Sequence, residues 1–320
     1  MNDVLKTVNT CQNDVLCNLK DGMSFLDKTP FHISYNRIPV KVERVSDTVF
    51  KMVINKGPDF VNAVDLVLPG VLPNELNAVI KSVGVSCGGF KLDSLRCEDF
   101  QTLADTHCAI FKRTITSIDG DTYLPLMLAT MHNDDVCITS LRHHDIDVKI
   151  EFRKGYDFSR VHLCGNMVYI YNGVTRVKDA SLQFKTTCTT VSTERVSVRD
   201  GKINVSLNLN HPVTILYAWG FDTSMVTNVK FVIDGVKSVY DGPVSFLQRK
   251  ASMWFGRPIT PIALTFGRKN DWCGCVNLSG VTTELVLTTR QIGSFDVHTA
   301  VVSGNGYRAA GGMMCLSFTP

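Results

Sequence analysis

The chain has 320 residues, of which 44% are hydrophobic and 20% are charged. This composition excludes global disorder and allows one large domain or two of about 150 residues. The formal net charge of +3 is too small to indicate a nucleic-acid partner, and no long run of Lys or Arg suggests a DNA-binding arm.

Residues 1–28 are the best helical candidate. Val4, Val8 and Val15 follow helical spacing, and Asp21-Gly22 ends the pattern. The apolar stripe is short and flanked by both signs of charge, so packing on the first domain is favoured over membrane binding, and docking on a neighbouring subunit is the alternative. We expect no signal peptide and no membrane span, because no basic segment precedes an apolar one and no apolar run is long enough.

The 11 cysteines are odd in number and scattered, and most of them lie in apolar runs. Without a secretory signal, this pattern favours buried free thiols in a reducing compartment over a disulfide framework.

From Pro39 onward the sequence predicts short strands separated by turns. Asp-Gly occurs five times and Asn-Gly twice, and these pairs supply the residues with positive φ that tight hairpins need. A short helix is predicted over residues 93–104. The predicted strands cover residues 40–45, 50–54, 61–68, 76–85, 110–118, 124–131, 146–152, 161–171, 203–209, 213–219, 229–233, 272–278, 285–287 and 313–318. This pattern is typical of β-sandwiches.

Residues 124–152 are expected to close the first domain. An apolar run is followed by a polar turn at 132–135 and then by strict alternation, in which Val148, Ile150 and Phe152 form the apolar side. The chain then breaks at Arg153-Lys154-Gly155. We therefore predict an arm at 1–28, a first domain at 29–154 and a second at 155–320, with 153–158 as the joint between the domains.

The two halves of the sequence resemble each other. Residues 83–91 and 229–237 each read as an alternating strand, a Gly-containing turn and an apolar-Lys pair, at an offset of 146 (83 to 229). Residues 136–152 and 276–287 correspond at an offset of 140 (136 to 276). The repeat predicts two similar β-domains in tandem.

Few residues in the sequence suggest a catalytic or metal-binding site. The most prominent cluster is His143-His144-Asp145, but adjacent side chains on a strand point to opposite faces and a metal needs further ligands, so a polar strand entry is the favoured interpretation. Cys273 and Cys275 are separated by one residue, which suits one face of a strand better than zinc. No nucleophile elbow, phosphate-binding loop or zinc-protease motif occurs. Gly304 and Gly306 indicate a turn, and neither this pair nor Gly311-Gly312 opens a recognisable helix after a strand.

Two further patterns are weak. The glycosylation sequons at Asn204 and Asn277 lie in strand patterns, which argues against their use. Trp254 lies among basic residues and prolines, which would suit a nucleic-acid patch or a loop packed against a neighbouring protein. The second interpretation is favoured. The surrounding residues are Pro243, Phe246, Arg249, Lys250, Arg257 and Pro258.

Several segments, in collinear order over nearly the whole chain, resemble the double jelly-roll major capsid proteins of nucleocytoplasmic large DNA viruses, the iridovirus-like group. Residues 124–152, with Leu124-Pro125-Leu126 and the run HDIDVKIEF, are similar to the segment that ends the first jelly roll in that family. Residues 50–68 and 203–219 carry the resemblance further, and 276–279 and 309–318 support it. Two His residues precede Asp145 where the family has Tyr-His, and this chain is shorter than most members.

The resemblance implies an all-β fold of two tandem eight-stranded jelly-roll β-sandwiches with a short N-terminal helix or arm. It implies a structural, non-enzymatic capsid protein, with no catalytic, cofactor-binding or metal-binding residues and no cofactor. Three subunits would form a pseudo-hexameric capsomer that tiles an icosahedral shell around a DNA genome. The implied partners are two further copies, neighbouring capsomers and minor capsid or penton proteins. Contact of the arm with an inner viral membrane is left open, and sequence-specific nucleic acid is not implied. The implied location is the virion, with assembly in the cytoplasm or nucleus of the host cell.

The residues alone leave other functional classes open as alternatives to a capsid protein. One is a tandem β-sandwich that binds carbohydrate or another ligand. Another is a cupin-like enzyme, which would need His143, His144 and Glu151 to converge on a metal. A minor capsid paralogue or an assembly scaffold would share the same fold.

Overall fold

A computed structural model describes residues 31–126, 136–138, 141, 143–169, 182–198, 200–209, 212–266, 276–278, 280–310 and 312–316. The predicted arm at 1–28, the polar turn at 132–135 and the Cys273/Cys275 pair lie outside these residues. No helix within the described part of the chain is both long enough and apolar enough to cross a membrane.

The first jelly roll comprises two sheets, with strand orders β1-β11-β4-β8-β7 and β2-β3-β10-β5-β6, and β9 pairs with β4. Its strands are β1 (Phe31–Arg37), β2 (Val40–Arg44), β3 (Val49–Ile54), β4 (Phe60–Leu68), β5 (Ile80–Cys87), β6 (Phe90–Arg96), β7 (Thr116–Ile118), β8 (Asp121–Pro125), β9 (Val136–Cys137), β10 (Ile146–Phe152) and β11 (His162–Tyr169). Eight principal strands are obtained by omitting β2, β7 and β9. Numbered along the chain, they are ordered one-eight-three-six and two-seven-four-five, which is the jelly-roll arrangement.

The alternation predicted for 146–152 is present in β10. Val148, Ile150 and Phe152 are buried and Lys149 is exposed. Ile150 lies opposite Phe50 of β3 and Val83 of β5, so β10 is a central strand whose apolar side faces the core.

Asp147 lies on the side of β10 that was predicted to face solvent, yet its side chain is buried. Ser86 Oγ donates to Asp147 Oδ1 at 2.7 Å, and Lys51 Nζ lies 3.7 Å from Oδ2. A buried carboxylate is tolerated where such partners replace water.

The second jelly roll repeats the same arrangement. Its sheets are β12-β19-β14-β17, with β20 paired to β19, and β13-β18-β15-β16, so β12 to β19 follow the same one-eight-three-six and two-seven-four-five orders. The strands are β12 (Leu182–Val198), β13 (Lys202–Leu207), β14 (Val213–Trp219), β15 (Val226–Ile233), β16 (Lys237–Pro243), β17 (Ile262–Thr265), β18 (Thr283–Thr289), β19 (Gly293–Ala310) and β20 (Met313–Leu316). The predicted all-β fold of two tandem jelly rolls is therefore confirmed.

The internal repeat corresponds to equivalent strands. Residues 83–91 run from β5 through a turn into β6, and residues 229–237 run from β15 through a turn into β16. The second repeated pair, residues 136–152 and 276–287, also occupies equivalent positions. In the first roll β9 pairs with the start of β4, and in the second roll Val276 bridges Val213 at the start of β14. The sequence similarity thus reflects the same pair of strands in two copies of one topology.

The described helices are α1 (Leu76–Val79), which follows a 3₁₀ turn at Pro73–Glu75, α2 (Phe100–Ile110) and α3 (Val244–Phe255). The helix predicted at 93–104 lies further along the chain, because 93–96 continue β6 and the Asp99 side chain caps α2 by accepting from the N–H of Thr102. The strand predicted at 110–118 is reduced to β7, because α2 continues to Ile110. The first four residues of the strand predicted at 76–85 form α1 instead.

The first jelly roll extends beyond the predicted boundary at 154/155. The strand after that boundary, β11, pairs with β1 and β4 of the first roll. The segment predicted as the joint is held within this roll, since the N–H of Arg153 donates to the carbonyl oxygen of Val79 at 2.7 Å and the ring of Phe158 packs on Phe50. A turn signal such as Arg-Lys-Gly marks a chain reversal but does not decide which sheet receives the next strand.

The contacts divide the chain into two compact units. Unit 1 comprises the described residues within Met1–Ser94, Thr114–Thr187 and Asn305–Pro320. Unit 2 comprises Leu95–Arg113 and the described residues within Cys188–Gly304. Helix α2 therefore belongs to unit 2, although along the chain it lies between strands of the first roll.

Candidate functional site

The predicted polar cluster lies beside the turn between β5 and β6, in unit 1, and consists of His143, His144 and Asp145. The main-chain N–H of His143 donates to the carbonyl oxygen of Gly312 at 2.8 Å. The main-chain N–H of Met314 donates to His144 Nδ1 at 3.0 Å, so this nitrogen acts as an acceptor. The two histidines thus hold β20 and the residue before it in place.

Gly88 completes this cluster from the opposite side. Its N–H donates to the carbonyl oxygen of Asp145 at 3.1 Å, and a Cβ placed at Gly88 would lie 2.2 Å from the His144 ring. The Asp145 carboxylate pairs with Lys56 Nζ at 3.0 Å. The cluster is closely packed at Gly88, and the side chains of His144 and Asp145 bind other parts of the same unit.

The cupin-like alternative requires Glu151 to join these histidines, and the geometry separates them. Glu151 accepts from Lys81 Nζ at 2.8 Å and from Ser82 Oγ at 3.3 Å. It lies five residues along β10 from Ile146, about 16 Å at the rise of a strand, whereas ligands of one metal lie within about 2–3 Å of it. Among the described residues, no three or more His, Cys, Asp or Glu side chains are grouped to hold a metal.

The basic-aromatic residues around Trp254 lie on and just after α3, which the sequence analysis interpreted as a loop. Val244, Leu247, Ala251 and Phe255 form the buried side of this helix. Gly256, with φ +78°, ends it in the left-handed conformation. The apolar spacing followed by Gly was the signal that could have predicted α3.

The charged groups of this region contact unit 2 itself. Arg257 Nη2 donates to Asp105 Oδ1 at 2.8 Å, and Lys250 Nζ donates to the carbonyl oxygen of Thr265 at 3.5 Å. A guanidinium committed to a carboxylate is a poor candidate for a phosphate ligand. The protein-contact interpretation is therefore favoured over a nucleic-acid patch.

The side of α3 that faces away from the core is a candidate interaction surface, and we call Phe246, Arg249, Lys250 and Met253 its outer face. All four side chains are exposed, with Phe246 at 59% and Met253 at 67%. The two apolar residues lie seven positions apart on one side of the helix, about 10 Å along its axis, with the cations between them. Phe246, Arg249 and Lys250 were recognised from the sequence only as neighbours of Trp254, Met253 was not recognised, and the one helical surface that they share follows from α3.

Several titratable groups are perturbed by burial. Burial raises the pKa of the Cys87 thiol to about 12 and that of Cys97 to about 11. Burial, with hydrogen bonding to Asp65 second, raises the pKa of Tyr35, whose hydroxyl donates to that carboxylate at 2.7 Å. Burial also lowers the pKa of His298, against the opposing effect of nearby carboxylates. Each of these groups lies in a structural setting, on a strand or at its end.

Other predicted positions have ordinary structural roles. Asn204 and Asn277 are exposed, and Asn204 lies within β13 opposite Val286. The turn predicted at Gly304 is absent, because β19 continues to Ala310. The N–H of Gly304 donates to the carbonyl oxygen of Pro212 at 2.9 Å.

The repeated strand order defines the class of fold, which is the double jelly roll. The PBCV-1 virus capsid structure matches with a TM-score of 0.71 and 12% identity, over 92% of this chain and 98% of the other. The Faustovirus major capsid protein matches with a TM-score of 0.60 and 9% identity, over 95% and 97%. The major capsid protein P2 of bacteriophage PM2 matches with a TM-score of 0.53 and 12% identity, over 86% and 98%. No protein-family model and no curated protein sequence matches this chain.

These matches confirm, at the level of the fold, the resemblance to double jelly-roll major capsid proteins of large DNA viruses. They cover nearly the whole of each chain, so both jelly rolls take part in the similarity. The structures named above are described as capsids or capsid proteins, which is the structural class that the resemblance implied.

Proposed function

We propose that this protein is a structural subunit of a viral capsid and has no enzymatic role. The observation that carries the proposal is the presence, in one chain, of two jelly rolls with the same strand order, matched over its length by viral capsid structures. Two similar sandwiches in one subunit supply two similar corners of a polygon. Three subunits then supply six, which closes a ring with threefold symmetry and pseudo-sixfold shape.

In this proposal the trimer is a pseudo-hexameric capsomer, and capsomers tile an icosahedral shell around a DNA genome. The partners are neighbouring capsomers and the minor capsid or penton proteins that close the shell. The N-terminal arm would reach an inner membrane where the virion has one. The protein resides in the virion, after assembly in the cytoplasm or nucleus of the host cell. The modest net charge of +3 agrees with a shell that does not read DNA sequence.

Mass photometry and analytical ultracentrifugation of the purified chain test the trimer. The subunit mass is 35.4 kDa, so the expected species is three times that mass, about 106 kDa. An obligate interface of this kind buries more than about 2,000 Å² and persists at micromolar concentration. A folded monomer at tens of micromolar would contradict the proposal.

Negative-stain imaging tests the tiling. Hexagonal plates or closed shells made of trimers are expected for a major capsid protein. Trimers that never associate with one another, yet are found in assembling particles and not in mature virions, would identify an assembly scaffold with the same fold.

A further inference from the structure

Helices α2 and α3 occupy equivalent places in the two jelly rolls. Helix α2 connects β6 to the β7-β8 hairpin, and α3 connects β16 to β17. In each roll this is the connection between the fifth and sixth principal strands. The two helices have similar lengths, 11 and 12 residues, so their surroundings can be compared position by position.

The equivalent helices are covered to different extents. The buried residues of α3 fall within about 80° of its circumference at 100° per residue. Those of α2 spread over about 260°, so α2 is enclosed on two sides. They are Phe100, Leu103, Ala104, Thr106, His107, Cys108, Ala109 and Ile110.

The difference is clearest at Met253. Counted from the start of each helix, Met253 corresponds to Ala109, and counted from the end it corresponds to Cys108. These counterparts are 2% and 1% exposed, whereas Met253 is 67% exposed. The surface that is enclosed in α2 at this position is thus open in α3, whereas the counterparts of Phe246, Thr102 and Gln101, are only half-buried in α2.

The assignment of α2 to one of the two compact units shows which roll encloses this helix. This helix emerges from the first roll but belongs to unit 2, which contains the second roll. Within that unit, Asp105 of α2 pairs with Arg257, the second residue after the end of α3. Within one chain, the helix that leaves the first roll is therefore enclosed by the second roll.

We infer that the outer face of α3, formed by Phe246, Arg249, Lys250 and Met253, docks against the first jelly roll of a second copy of this chain. In a closed ring the roll that follows the second roll is the first roll of the next copy, so this inference rests on the proposed trimer. The occupant of this surface is therefore the first jelly roll of a second copy of the chain. Phe246 and Met253 enter an apolar surface there, and Arg249 faces carboxylate or carbonyl oxygens at its rim, while Lys250 keeps its contact with the Thr265 carbonyl of its own unit.

Aspartate substitutions test the surface. Phe246→Asp, Met253→Asp and the double variant are compared with Val236→Asp and Ile292→Asp, controls that remove apolar side chains 89% and 84% exposed elsewhere in the second roll. The double variant is expected to raise the dissociation constant of the trimer more than about tenfold, with an unchanged melting curve of the monomer, and each control less than about twofold. A double variant that trimerises like the wild type would overturn the inference and leave the proposed trimer standing. A wild-type chain that stays monomeric would overturn both.

A photo-crosslinking residue at position 253 identifies the partner surface without relying on a destabilising change. Trimers are formed from mixed ¹⁴N- and ¹⁵N-labelled chains, so mixed-isotope peptide pairs report links between copies. Links from 253 to residues 31–94 or 114–169 of another copy support the inference. Links only to the second roll of another copy, or only within one copy, would overturn it.

Discussion

Arg257 Nη2 lies 2.8 Å from Asp105 Oδ1 and 3.0 Å from the main-chain oxygen of the same residue. One guanidinium nitrogen therefore joins the segment just after α3 to the middle of α2, within unit 2. The Arg257 side chain is 34% exposed and that of Asp105 is 44% exposed, so the pair is partly shielded from solvent. This ion pair fixes the helix that leaves the first roll against the second roll's unit.

We expect this pair to contribute measurably to stability. A double-mutant cycle of Arg257→Met and Asp105→Asn should give a coupling free energy of about 1 kcal/mol, because the contact is short and half-buried. Urea unfolding monitored by Trp fluorescence measures it. The matched control is Arg195–Asp296, at 3.7 Å and with side chains 71% and 50% exposed, for which the coupling should be near zero. Equal couplings for the two pairs would contradict the prediction.

Gly88→Ala should be strongly destabilising. Its φ is +57°, and the added Cβ would overlap the His144 ring at 2.2 Å, so a loss of more than about 3 kcal/mol is expected. The neighbouring Gly89 has φ +84° with nothing within 4 Å, so Gly89→Ala should cost only about 1 kcal/mol. Denaturant unfolding of the two variants provides the comparison.

The same contact can be tested by rescue. In a His144→Ala background the ring is gone, and Gly88→Ala should then cost about as much as Gly89→Ala. If Gly88→Ala costs the same with and without His144, the clash is not the cause of the destabilisation.

Cys87 and Cys97 should resist alkylation in the folded protein. Burial raises the pKa values of these thiols to about 12 and about 11, so at pH 8 the reactive thiolate is only about one part in 10⁴ and 10³. Peptide mapping after iodoacetamide treatment should find both residues unmodified without denaturant and fully modified in urea. Modification at equal rates in the two conditions would show that the thiols are accessible.

Acid should destabilise the second roll through His298. Burial lowers the pKa of this residue, with Asp99, Asp296 and Glu98 opposing the shift, while in the unfolded chain it stays near 6.5. As the pH falls below about 6.5, the unfolded chain takes up the proton first, so stability falls until the folded pKa is also passed. Above pH 7 the residue is neutral in both states and adds no pH dependence.

The variant His298→Gln isolates this effect. It removes the titration and should flatten the dependence of unfolding free energy on pH below about 6.5, measured by urea unfolding at several pH values. Its stability at pH 8 should fall by about 1 kcal/mol, because His298 Nδ1 shares a hydrogen bond of 2.9 Å with Thr193 Oγ1. The control is His143→Gln, since His143 is exposed and its structural contact uses the main chain. A variant with the wild-type pH profile would exclude His298 as the source.

The sequence by itself was sufficient for the class of fold, because strand patterns are local. The alternation at Val148, Ile150 and Phe152 follows from which side of a strand meets the core, and this periodicity is visible without the partner strands. The repeat at 83–91 and 229–237 likewise identified two copies of one hairpin, since the turn residues and the apolar spacing are set within each hairpin. Collinear similarity to capsid proteins then arranged these strands in two jelly rolls.

Only the tertiary structure decided which elements belong together. The break at Gly155 looked like a domain boundary, yet β11 returns to the sheet of the first roll, because sheet membership depends on pairing with distant strands. The assignment of α2 to the second roll's unit, and the contacts of His144 with Gly88 and Met314, join residues far apart in the chain. The outer face of α3 became recognisable as an interaction surface only when its side chains could be compared with the enclosed side of α2, since exposure is a property of the folded chain and not of residue type.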